Sequence, residues 1–122
     1  MAKRILCLIL AMAGIAFTAY AGEEWNFLGT YKITGYDICY RCCGKVDGIT
    51  ASGVKATVGK TIAAPSNFPY GTVLFIEGIG YRTVEDRGGS IKGKRLDVLC
   101  SNHNECYAIT KNRKVWVITW TN

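Results

Sequence analysis

Two aspartates carry the clearest chemical possibility in this chain. Asp86 and Asp97 lie in the run VEDRGGSIKGKRLDV (84–98), each beside apolar residues, with Gly88, Gly89, Gly93 and four cations between them. Two carboxyl groups held close together can divide the work of acid and base, because one negative charge raises the pKa of the neighbour that must keep its proton. A surface loop explains the glycines, which let a ligand approach the backbone. It does not explain acids placed at two strand-like segments, 81–85 and 95–99, whose pairing would bring the carboxylates together. Local alternatives stand beside this reading. Asp86 can cap the Arg-Gly-Gly turn, and Asp97 can be the buried partner of Arg95 or Arg82.

The elements that must position these acids follow a β pattern. Residues 28–36 (LGTYKITGY) alternate loosely and carry threonine and aromatics, as a strand does. Short strand-like runs recur at 61–63, 72–77, 81–85 and 95–99, punctuated by Pro65, Pro69, Gly71, Gly78 and Gly80. Residues 113–120 are apolar on both faces, which predicts a buried closing strand. Residues 102–110 predict one short helix with Asn102 as its cap. From Asp37 to Gly59 the chain reads as a long loop rich in Gly, Cys and Lys. Together these features predict an all-β domain, a small closed barrel over 28–119, since closure removes the edges that short strands expose.

The chain has 122 residues, enough for one domain with one core. Lys3 and Arg4, the apolar run ILCLILAMAGIAFT and then Ala19-Tyr20-Ala21 have the order of a secretory leader. This divides the chain into a leader, 1–21, and a working domain, 22–122, of a secreted, periplasmic or wall-associated protein. The apolar run is also nearly long enough to span a bilayer, so an uncleaved anchor is the alternative; after cleavage no stable membrane insertion is expected. Losing Lys3 and Arg4 lowers the formal net charge from +6 to +4. A mildly basic surface suits anionic wall polymers, and no basic run interleaved with aromatics points to nucleic acid.

Five cysteines remain after the leader: Cys39, Cys42, Cys43, Cys100 and Cys106. Disulfides fit an exported protein, and the odd count leaves one thiol over with the connectivity open. A bridge joining the two cysteine clusters or closing the 100–106 loop is expected. A zinc site on Cys39, Cys42 and His103 is an alternative, weakened because Cys100 and Cys106 are too widely spaced for a second ligand pair. A redox Cys-x-x-Cys lacks its βαβ setting. His103 fits a capping or surface residue better than a base. Trp25, Trp116 and Trp120 suit either sugar stacking or packing, with Trp116 expected in the core.

Three segments together resemble the bacterial 3D domain: CCGK with DGITASG (42–53), VEDRGGSIKGKRLDV (84–98) and SNHNECYAITKNRKVWVI (101–118). That family is related to the C-terminal catalytic part of MltA-type lytic transglycosylases and to stationary-phase survival proteins. The resemblance implies a six-stranded double-psi β-barrel. It also implies cleavage of peptidoglycan between N-acetylmuramic acid and N-acetylglucosamine to give 1,6-anhydro ends. That chemistry requires no cofactor; a metal held by the aspartates is an alternative without support in the sequence. On this mapping Asp97 is the acid/base and Asp86 its partner; Thr50, Ser52, Lys45, Gly88 and Gly89 are candidates to contact the glycan. Thr50 and Ser52 also suit local turn bonding, and Lys45 a solvated loop. Lys92, Lys94 and Arg95 are candidates to meet lactyl or peptide carboxylates. One departure stands out: Ala64 and Pro65 occupy the place of the family's third acid. Two alternatives therefore accompany the enzyme: a non-catalytic peptidoglycan-binding barrel, and a disulfide-stapled secreted effector.

Overall fold

The computed structural model describes residues 22–38 and 47–121. The segment expected to be a leader (1–21), Lys45, Cys39, Cys42 and Cys43 lie outside the described residues. Among the described residues six strands are present: β1 (Glu23–Tyr36), β2 (Thr61–Ala63), β3 (Val73–Ile76), β4 (Gly80–Asp86), β5 (Arg95–Leu99) and β6 (Lys111–Trp120). They close into a barrel in the order β1-β5-β2-β4-β3-β6. The pairs β1/β5 and β2/β4 are parallel and the other pairings antiparallel. Two parallel pairs among strands this short require chain crossings, as in the double-psi barrel. The expected strands all form, and β1 begins five residues earlier than its alternation suggests, because residues 23–27 pair with β6.

Inward side chains alternate with outward ones along each strand. Ile33, Ile62, Leu74, Ile76, Val84 and Leu96 are fully buried and fill the barrel. Their outward neighbours Thr34, Ala63 and Asp97 therefore share the outer face of β1, β2 and β5. The one helix among the described residues, α1 (His103–Ile109), links β5 to β6. Its cap is as expected: the Asn102 side chain accepts from the Glu105 N–H at 2.9 Å, and the Glu105 carboxylate accepts from the Ser101 N–H at 2.7 Å.

Candidate functional site

β4 and β5 are not neighbours. β2 runs between them, which corrects the expectation that direct pairing of the two acid-bearing strands joins the carboxylates. The link is Ala63, which pairs with Asp97 on one side and Asp86 on the other. A register shift between Ile62 and Ala63 selects Asp86 for this place. Unshifted pairing from Ile62↔Val84 would put Glu85 opposite Ala63, and a one-residue slip in a strand exchanges its faces. Glu85 is instead held by the Thr61 hydroxyl at 2.7 Å and by Lys60 at 3.3 Å.

Asp86 and Asp97 both line one cavity of about 380 Å³, together with Tyr36, Thr50, Ala51, Ala63, Arg87, Gly88 and Gly89. The two acids are held differently. Asp86 accepts three hydrogen bonds: Tyr36 Oη–H at 2.9 Å on Oδ2, and the Ala51 and Arg87 N–H groups at 2.8 and 2.9 Å on Oδ1. These donors anchor its carboxylate and tie the 47–56 loop to the end of β4. Asp97 receives the Thr34 hydroxyl at 2.9 Å. Burial pushes the pKa of Asp97 above the ordinary carboxylate range; the Thr34 bond and the Arg95 charge oppose this, and the Asp86 charge adds to it. The pair thus combines a carboxylate fixed by three donors with one whose burial favours the protonated form.

The glycan-contact candidates divide. Thr50, Gly88 and Gly89 line the cavity. Gly89 has open space where a side chain would stand, whereas a Cβ at Gly88 would meet Ile91 at 2.9 Å. Thr50 bonds to the Ser52 hydroxyl and to the Val54 carbonyl, each at 3.0 Å, so both hydroxyls serve the local turn. Ser52 is half-buried there and is not among the lining residues. Lys92 and Lys94 are exposed, and neither they nor Arg95 lines the cavity. Lys94 lies over the Tyr31 ring and reaches the Leu28 carbonyl at 3.4 Å. Sequence reasoning passed over Tyr36 and Arg87; their signal was adjacency, one closing β1 and the other following Asp86.

The place expected to lack an acid does so. Ala64 is fully buried, donates its N–H to the Asp86 carbonyl at 3.2 Å and accepts from the Arg87 guanidinium at 3.2 Å. Trp116 is not a core residue. It is half-buried on the outer wall, its ring 6.0 Å from Trp25 and 5.3 Å from Phe27, while Trp120 is exposed. His103 opens α1 with Nε2 at 3.6 Å from Asp37.

Cys100 and Cys106 are buried and both are free thiols, so the expected bridge closing the 100–106 loop is not formed. Cys100 Sγ donates to the Val98 carbonyl at 3.3 Å, and burial, with the neighbouring Cys106 next, pushes the Cys100 thiol up to about 12. Gly35 makes room for the pair: a Cβ there would meet Cys106 Cα at 2.8 Å and Cys100 Sγ at 2.9 Å.

Residues 60–119 match the family model of the 3D domain. The cell wall-binding protein YocH of Bacillus subtilis is 36% identical over 66 residues, which cover 51% of this chain and 23% of that protein. The E. coli lytic transglycosylase MltA, in its apo-2 form, superposes with a TM-score of 0.53 at 22% identity over 61% of this chain and 28% of that one. A second crystal structure of MltA from E. coli gives 0.52 at 22% identity, over 60% of this chain and 28% of that one. The chain thus spans about a quarter of the length of these relatives, and the structural likeness is one of fold.

Proposed function

We propose that this chain, whose residues 60–119 belong to the 3D domain family, is an extracytoplasmic cell-wall protein. In this reading it takes a peptidoglycan strand into the Asp86–Asp97 cavity and cleaves the bond between N-acetylmuramic acid and N-acetylglucosamine. The observation that carries the reading is Asp97, a cavity-lining carboxyl whose burial favours the protonated form, beside a second carboxylate.

The chemistry needs a proton delivered to a poor leaving oxygen and relief of positive charge at the anomeric carbon. Asp97 gives its proton to the glycosidic oxygen as the carbon–oxygen bond breaks, and N-acetylglucosamine leaves as the alcohol. The muramic acid 6-hydroxyl then bonds to the anomeric carbon and returns its proton to Asp97. No water is consumed, and the product ends in 1,6-anhydro-N-acetylmuramic acid. One carboxyl serves both proton transfers because the nucleophile belongs to the substrate. Asp86, fixed by its three donors, supplies negative charge near the developing cation and favours the protonated form of Asp97.

A second reading, wall binding without cleavage, is favoured by the buried alanine at position 64 and by the likeness to a cell wall-binding protein. Incubation with purified peptidoglycan, followed by mass analysis of the soluble fragments, separates the two. Anhydro-muropeptides support the enzyme. Sedimentation with the wall and no fragments supports the binding barrel. Neither behaviour would overturn both and leave the secreted effector.

A further inference from the structure

We infer that Arg87 is an anion-recognition residue of the cavity, selecting glycans that carry a carboxylate on the lactyl group or stem peptide over neutral N-acetylglucosamine chains. The inference rests on the glycan reading above. Arg87 follows Asp86 at the end of β4, is half-buried and lines the cavity. Only its backbone N–H bonds to the Asp86 carboxylate. The guanidinium is held by neutral groups: Nη1 donates to the Ala64 carbonyl at 3.2 Å and the Asp86 carbonyl at 3.4 Å, and Nη2 to the Phe68 carbonyl at 2.8 Å. The Tyr70 ring lies 4.2 Å from the guanidinium carbon.

Among the described residues the ion pairs are Lys60–Glu85 and His103–Asp37, so the Arg87 charge has no carboxylate partner. Its Nε–H and the second Nη2 proton have no acceptor among the described residues. A half-buried charge without a counter-ion is unusual, because removing it from water is compensated only by partners. Here the segment that lacks the family's third acid offers carbonyl oxygens instead of a carboxylate, and the guanidinium keeps its full charge. Those carbonyls and the Tyr70 ring also hold the planar fork in place, so binding an anion costs little ordering of the side chain. Carboxylates match that fork with two parallel N–H bonds. The lysines of the 92–94 turn are outside the cavity and cannot supply this contact.

The test is titration of the whole protein with five small probes, followed through the Arg87 Nε–H resonance: N-acetylmuramic acid, its methyl amide, muramyl dipeptide, N-acetylglucosamine and lactate. N-acetylmuramic acid is expected to bind about tenfold more tightly than N-acetylglucosamine, the scale of one charge-assisted hydrogen bond. The methyl amide should lose that advantage, and muramyl dipeptide regains it if the peptide carboxylate is the one recognised. Arg87→Met should erase the preference, read as the ratio of the two affinities, and Arg87→Lys should restore part of it. Equal affinity of wild type for the acid, the amide and the dipeptide overturns the inference, without reliance on any variant. A Met variant that keeps the preference does the same. If no sugar binds but lactate still moves the Arg87 resonance, the anion site stands and the glycan reading falls; if lactate also fails, the site falls too.

Discussion

Asp97→Asn keeps the size of the side chain and an oxygen to accept the Thr34 hydroxyl, now 2.9 Å from Asp97 Oδ1, and removes the titratable proton. If Asp97 is the acid/base, anhydro-muropeptide release should fall at least about a hundredfold, the lower end of what positioned acid–base catalysis contributes. That corresponds to about 2.7 kcal/mol of barrier. Stability should move the other way. Burial raises the folded-state pKa of Asp97, so from the unfolded value near 3.9 up to the raised one the folded chain binds more protons. Stability therefore declines as pH rises through that window, and the loss persists above it. Asparagine cannot ionise, so the variant should melt higher than wild type at neutral pH, with the difference closing once pH falls below about 4. The assays are product mass analysis at fixed concentration of folded protein and thermal melts across that pH range. An ion-pair role with Arg95 predicts the reverse, a lower melting point at neutral pH and intact turnover. A fully active Asp97→Asn protein would refute the catalytic assignment.

Asp86→Asn removes a charge that raises the Asp97 pKa, so the alkaline limb of an activity profile should move to lower pH while turnover survives; an unmoved limb would separate the two acids. Gly35→Ala drives a methyl group against Cys106 Cα and Cys100 Sγ at under 3.0 Å and should cost about 1–3 kcal/mol, readable as a melting-point drop of roughly 4–8 °C per kcal/mol. An unchanged melting point would mean the helix shifts freely off β1. If the domain is exported, at least one disulfide is expected, and alkylation in denaturant without reductant that labels Cys39, Cys42, Cys43, Cys100 and Cys106 alike would refute this. In reduced protein, burial and the raised pKa of Cys100 should keep Cys100 and Cys106 slow to alkylate at neutral pH until the chain unfolds.

By itself the sequence determined the local elements. Alternation, threonine and aromatic content marked the strands, the Pro and Gly positions marked the turns, and Asn102 marked the helix start, because each is a property of neighbouring residues. The two acids were visible through their motif, and Ala64 was visible as a missing one. Long-range order decided the rest. That β2 separates β4 from β5 could not be seen locally, since parallel pairs join residues far apart in the chain. Nor could the shift at Ile62/Ala63 that presents Asp86 rather than Glu85, because register belongs to a pair of strands and not to one. Among the cations, charge and proximity to the motif favoured Lys92, Lys94 and Arg95. The fold instead put Arg87 in the cavity, because the carbonyls of Ala64 and Phe68, distant in sequence, fold back to hold its guanidinium there.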